Sequence, residues 1–203
     1  MKSGPKNSRG LEDKDQRILE AAKTLFGRYG MKKTSIEEIA QAAGLGKGTV
    51  YLYFKSKDEI FSVLASQFAT EFETALDHAL KDPRTPTDRL RAFIETRIGF
   101  FDRCFREYGA TAESILEAES SSVVDGLRKQ YGGRHVSIIA DLLEEGKRSG
   151  EFSFENSRLT SLAIYHVLES LARPWNIEIV QLSGEDKVKA CTQLLLDGLL
   201  KRN

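Results

Sequence analysis

The residues best suited to meeting a partner lie in one short run, Lys47-Gly48-Thr49-Val50-Tyr51-Leu52-Tyr53-Phe54-Lys55-Ser56-Lys57. Val50 and Phe54 are four apart and share one helical face, so they can anchor a short helix to a core. At about 100° per residue, Gly48 and Leu52 then point away from that core, flanked by Thr49 and Tyr51, with Lys47 and Tyr53 at the edges. Such a face solvates poorly but suits a nucleic-acid groove. Glycine permits close approach, hydroxyls and Lys bond phosphates, and an exposed Leu can meet a thymine methyl. The bland alternative is a surface helix with accidental aromatics. Elsewhere no nucleophile–base pair, metal cluster or phosphate loop appears, and no cofactor is expected.

The elements that must hold this helix are legible just upstream. Ser35 followed by Glu38 fits a capping box at a helix start. Ile36, Ile39, Ala40 and Ala43 fall on one helical face. Gly44 stands where a helix C-terminus needs positive φ. Leu45 can plug the corner, and the next helix opens at about Lys47. Before them, a helix from about Asp13 to Tyr29 carries Ile18, Ala22, Leu25, Phe26 and Tyr29 on one stripe, and Gly30 ends it.

The run from about Glu12 to Phe72 resembles the DNA-binding domain of the TetR (tetracycline-repressor) family. The matching pieces are Arg17-Ile18-Leu19-Glu20-Ala21-Ala22, Leu25-Phe26, Tyr29-Gly30, Thr34-Ser35-Ile36, Ile39-Ala40, Ala43-Gly44-Leu45, Gly48-Thr49-Val50-Tyr51, Tyr53-Phe54 and Lys57. Gly46 departs from the family's usual Ser or Thr N-cap; Gly is an acceptable cap but removes one possible hydroxyl contact to DNA. By this resemblance Thr34, Ser35, Tyr53 and Lys57 bind phosphate, and Lys47, Gly48, Thr49, Tyr51 and Leu52 face bases. Lys55, with Lys57, can also grip phosphate near the start of the following helix.

Net charge is zero, but its distribution is uneven: residues 1–60 hold 12 Lys+Arg against 8 Asp+Glu, and residues 61–203 hold 18 against 22. A cationic head on an acidic body suits end-on docking to DNA, though sampling noise could produce the same asymmetry. Residues 1–11 read as a disordered basic tail, 12–60 as the helix-turn-helix domain, and 61–203 as a ligand-binding and dimerisation domain. Cys104 and Cys191 lack metal-ligand spacing and read as reduced core thiols. No apolar run is long enough to span a bilayer, and the chain is expected to be cytoplasmic with no membrane partner.

The rest of the chain predicts an all-α protein of about nine helices. A capping box at Ser56 and Glu59 opens a fourth helix that continues to about Leu80, roughly 37 Å of rod; it is the expected lever between DNA end and body. A fifth, about Thr87 to Tyr108, carries Phe93, Arg97, Phe101, Cys104 and Phe105 on one stripe. Arg97 on that axis is costly unless paired; a pocket guanidinium, a buried pair with a Glu and a snorkelled surface Arg all fit. After a short acidic helix, a seventh runs from about Val123 to Ser149, with a break possible at Gly132-Gly133. It offers His135, Ile138 and Leu142. The eighth, about Ser157 to Arg173, offers Leu162 and His166. These residues form the candidate ligand pocket, although lone histidines are more often satisfied core residues. The opposite face of the eighth helix carries Ile164, Leu168, Leu171 and Trp175, and the ninth, about Glu185 to Leu200, carries Leu195, Leu196 and Leu199. In proteins resembling this one the last two helices pair with their copies, so these seven residues form the candidate dimer interface; burial in the monomer core is the alternative.

The resulting expectation is a homodimeric transcriptional repressor that binds a double-stranded, near-palindromic operator and is released by a small-molecule effector. A chromosome-organising DNA role, or a helical ligand carrier or enzyme, are the rivals.

Overall fold

The computed structural model describes residues 9–82, 85–171 and 183–200. Among them are nine helices: α1 (Arg9–Tyr29), α2 (Ile36–Ala42), α3 (Lys47–Tyr53), α4 (Lys57–Ala79), α5 (Pro86–Glu107), α6 (Ala112–Glu119), α7 (Ser122–Ser149), α8 (Ser157–Leu171) and α9 (Gly184–Leu199). No strand forms among the described residues; one isolated antiparallel bridge joins Phe152 and Leu200. The expected all-α class and helical layout are those observed. Residues 1–8 of the expected tail lie outside the described residues. Residues 9–11 already belong to α1, where the good helix formers Arg, Leu and Glu outweigh Gly10.

The chain divides into two compact units, one of residues up to Phe68 with Phe105–Val124, the other of Ala69–Cys104 with Asp125 onward. The chain crosses between the units three times, within α4, α5 and α7, where the sequence suggests one boundary near residue 60. No local pattern announces this, because each crossing falls inside a continuous helix.

The first unit is built on the buried side chains Ile18, Leu19, Ala22 and Phe26 of α1, Ile36, Ile39 and Ala40 of α2, and Val50, Phe54 and Ile60. Phe26 meets Phe61 edge-on, with ring centroids 6.2 Å apart. Tyr29, expected on the α1 stripe, is instead half exposed at the helix end, where Gly30 takes φ +84°. Helix α6 packs beside α1 although it lies some eighty residues on. The Ser114 hydroxyl donates to the Gly27 carbonyl at 2.7 Å, and the Glu117 carboxylate accepts the Lys32 N–H at 2.8 Å.

The second unit buries Phe72 and Leu76 of α4, Leu90, Phe93, Ile94, Ile98 and Phe100 of α5, Ile139 and Leu143 of α7, Ile164 and Leu168 of α8, and Leu196 and Leu199 of α9. Pro86 opens α5 at the first helical position, where its missing N–H is not needed. Helix α7 runs unbroken through Gly132-Gly133, overturning the break considered there. Gly132 serves close packing instead: a Cβ there would lie 2.8 Å from the Tyr165 hydroxyl. Farther along α7, a Cβ on Gly146 would overlap the Phe152 ring, which folds back over the helix end after Gly150 takes φ +79°. The Ser153 N–H then donates to Leu199 O at 2.8 Å, tying this turn to the end of α9.

The residues expected at the dimer interface and in the pocket on the last helices fall in different environments. Ile164, Leu168, Leu196 and Leu199 are buried in their own unit; Leu171 and Leu195 are half-buried, and Trp175 lies outside the described residues. His166, assigned to the pocket, is exposed on the outer side of α8, with Leu162 half-buried. Both sides of α8 carry apolar residues, so periodicity defined two faces without choosing between them. The side bearing Ile164, Tyr165 and Leu168 faces inward because it buries more apolar area. Leu159 (66 % exposed), Val167 and Leu194 (71 %) are left outside.

Candidate nucleic-acid interface

Helix α2 starts as its sequence requires. The Ser35 hydroxyl accepts the Glu38 N–H at 3.2 Å, and the Glu38 carboxylate accepts the Ser35 N–H at 2.7 Å and the Ser35 hydroxyl at 2.7 Å. Those contacts, led by the Ser35 hydroxyl, hold the Glu38 carboxyl below its usual range. At the other end Gly44 adopts φ +65°, its N–H donates to Gln41 O at 3.0 Å and the Leu45 N–H donates to Ala40 O at 2.8 Å, a Schellman helix stop. Arg17 of α1 locks this corner: its guanidinium donates to Ala43 O at 2.6 Å and to Gly44 O at 3.4 Å.

Helix α3 begins without a side-chain cap. Gly46 is its extended N-cap residue, and the Thr49 N–H returns to Gly46 O at 2.8 Å. Val50 is fully buried and Phe54, the C-cap residue, is buried too. The opposite face is open. Leu52 is 83 % exposed and Tyr51 48 %. A Cβ on Gly48 would meet nothing within 4 Å, and Thr49 is half-buried beside it. At the near edge, the Lys47 amine pairs with the Glu37 carboxylate and lies 5.9 Å from the centroid of the Tyr51 ring. The side-chain hydrogen bond between them lowers the pKa of Glu37 and raises that of Lys47, so both stay charged.

The expected phosphate ligands fall into three environments. Lys55 is exposed. Tyr53 is half-buried against the core of the first unit, and the Ser35 hydroxyl serves the cap. Thr34 is buried, its hydroxyl donating to Gly30 O at 2.8 Å, and the Lys57 amine donates to Thr34 O at 2.9 Å and Lys32 O at 3.3 Å. In this arrangement Thr34 and Lys57 clasp the turn between α1 and α2 and position α2. The capping box expected at Ser56 forms in altered form: Ser56 accepts the Glu59 N–H at 3.2 Å, but Glu59 takes the Lys55 N–H at 2.6 Å instead of that of Ser56. Arg17 and Glu37 were missed by the sequence reading, since their partners lie 26 and 10 residues away.

Several candidate pocket residues of the second unit belong to, or pack against, a buried charge cluster. Arg97 is buried and pairs with Glu169, which also accepts from Arg128 Nε at 3.1 Å. Its guanidinium lies 5.1 Å from the Phe72 ring centroid, 5.0 Å from Phe101 and 6.0 Å from Tyr165. Of the three readings held for Arg97, the buried pair with a Glu is the one formed. His135 is also buried and meets Glu73 through Nε2 at 2.5 Å, while Nδ1 has no hydrogen-bond partner among the described residues. Burial lowers the His135 pKa, outweighing the upward pull of the Glu73 hydrogen bond, and Arg97 lowers it further. Phe93, Cys104 and Leu142 are buried, and Phe101 and Ile138 are half-buried. Phe105 groups with the first unit. Among the described residues no group of three His, Cys, Asp or Glu is placed to hold a metal, and no helix is long and apolar enough to cross a membrane.

A protein-family model described as bacterial regulatory proteins, tetR family, matches residues 18–64, and one described as tetracyclin repressor-like, C-terminal domain, matches residues 83–199. Over 184 residues the chain is 36% identical to the HTH-type transcriptional regulator YhgD of Bacillus subtilis (strain 168), covering 85% of this chain and 90% of that protein. It is 24% identical to the fatty acid metabolism regulator protein of the same organism, covering 92% and 95%. The solved structure of a TetR/AcrR family transcriptional regulator from Thermobifida fusca YX-ER1 superimposes with a TM-score of 0.73 at 23% identity, covering 92% of this chain and 98% of that one.

Two outcomes follow from this geometry. Tyr51→Ala should lower affinity for a specific duplex by about tenfold, with helical content and melting temperature unchanged; a fluorescence-anisotropy titration with circular dichroism checks both. His135 has a folded pKa below its unfolded value near 6.5, so the unfolded chain binds the extra proton as pH falls. The stability it contributes is complete above that value and declines below it, by at most about 1.4 kcal/mol per pH unit. In urea unfolding between about pH 7.5 and 5.5, wild type should lose stability relative to His135→Gln.

Proposed function

The chain belongs to the TetR family of bacterial regulatory proteins and is a DNA-binding transcriptional regulator; from that premise we propose that it is a repressor. It holds a near-palindromic operator as a homodimer and leaves it when a small-molecule effector binds the second unit. The observation that carries the DNA end is the open face of α3, where Gly48, Thr49, Tyr51 and Leu52 stand outward because Val50 and Phe54 are buried behind them. A helix of this width enters a major groove, and two related by a dimer axis read half-sites about 34 Å apart or a multiple of it. Lys47 and Lys55 supply charge at the rim, and Ser35, Tyr53, Thr34 and Lys57 hold or border the reading helix.

For the dimer, the outward leucines favour a face different from the one first expected. Leu159, Ala163 and Val167 recur at four-residue spacing on the exposed side of α8, and Leu194 stands out from α9. Single exposed apolar residues are ordinary, but a stripe of them along one helix with a further exposed Leu on the next suits a self-complementary contact. For the effector, the packed aromatic cluster of Phe72, Phe93, Phe100 and Phe101 favours a largely apolar molecule, and a relative is named for fatty acid metabolism. Arg97 could meet its polar end only by exchanging Glu169 for it.

Two measurements test these assignments. Leu159→Glu combined with Leu194→Glu should convert the dimer to a monomer by light scattering and cut affinity for a two-half-site duplex at least about a hundredfold, through loss of avidity. An unchanged mass would overturn the interface. Palmitate at micromolar concentration should release the protein from an operator selected in vitro; retention at all concentrations would remove fatty acids as the effector class while leaving DNA binding intact.

A further inference from the structure

The pair between Glu37 and Lys47 spans the reading motif. Glu37 is the second residue of α2 and Lys47 the first of α3, and their side chains are about half exposed, 58% and 50%. The Lys47 ammonium is therefore paired with a carboxylate and lies 5.9 Å from the Tyr51 ring centroid, next in sequence to the bare backbone of Gly48. Resting on the DNA-binding function, we propose that Glu37 is a specificity-determining residue: it keeps Lys47 from acting as a general phosphate grip and reserves it for a base-edge acceptor.

The two modes of contact differ in what they require of the pair. A phosphate offers Lys47 the same kind of partner that Glu37 already provides. Taking the phosphate means either releasing the carboxylate, which is then left unpaired against a polyanion, or holding two anions side by side on one ammonium. A base edge such as guanine O6/N7 or thymine O4 is an uncharged acceptor. An ammonium has three N–H donors, so it can keep Glu37 and donate to the base at once. Glu37 thus disfavours the sequence-independent mode and tolerates the sequence-reading one. Neither residue supports the core, so the effect is separable from folding.

The test uses the full chain on two duplexes of equal length: one selected by the wild-type protein from a randomised pool, and a scrambled control. Glu37→Gln should raise affinity for the scrambled duplex about fivefold, and the slope of log affinity against log salt should steepen by about 0.9 per protomer. Affinity for the selected duplex should change little, so the specificity ratio falls. In a Lys47→Gln background the same substitution should have no effect. An unchanged ratio and slope, the same change without Lys47, or a drop on both duplexes together with a lower melting temperature would each overturn the proposal. Failure of the wild type to select any duplex would overturn the DNA-binding reading itself, an outcome distinct from selection that is indifferent to Glu37.

Discussion

Burial of Val50 and Phe54 in the core of the first unit decides what the rest of that unit can be. Helix α3 has seven residues, too few to persist alone in water, and its N-cap supplies no side chain. Its orientation is borrowed from the core. Once those two side chains are fixed inward, the helical angle sends Gly48, Thr49, Tyr51 and Leu52 outward together. The neighbouring contacts then serve one purpose, holding α2 and its corner still. Arg17 grips the end of α2 through Ala43 O and Gly44 O. The Lys57 amine grips the turn before it through Thr34 O and Lys32 O, and Glu117 of α6 takes the Lys32 N–H. These donors and acceptors satisfy backbone groups that would otherwise be left without partners at helix ends.

The second unit faces a different constraint. Its centre is aromatic, with Phe72 against Phe100, Phe101 and His135, yet it encloses ionised groups. Taking Arg97 and Glu169 out of water costs several kcal/mol per ion, and the attraction between them offsets that only with good geometry and further hydrogen bonds. Glu169 gains a second cation in Arg128, and Glu73 bonds both His135 and Arg134. Helices α4, α5, α7 and α8 each contribute to this cluster. An arrangement so dependent on mutual neutralisation is strongly destabilised by removal of any one charge.

How much of this could be read beforehand follows from the range of each interaction. The capping box at Ser35 and Glu38, the αL stop at Gly44 and the paired anchors Val50 and Phe54 are local, and each was visible in the residues. The family resemblance supplied the fold and the class of function from the same stretch. Arg17 with Ala43, Glu37 with Lys47, Glu117 with Lys32 and Arg97 with Glu169 were not visible, because periodicity names a face without naming what stands opposite. Helix α8 shows the limit most clearly. With apolar residues all round it, the pattern could not say that Ile164 turns in and Leu159 out. Gly132 misled for the opposite reason: a residue that weakens a helix in isolation is placed there by the approach of Tyr165.

The sharp division of labour on α3 has a consequence for how such a protein diversifies. Val50 and the half-buried Tyr53, with Phe54 just beyond the helix, are committed to packing, so substitutions at Gly48, Tyr51 or Leu52 fall where surface changes generally shift stability by no more than about 0.5 kcal/mol. Descendants of this chain can therefore drift toward new target sequences one residue at a time without passing through unfolded intermediates.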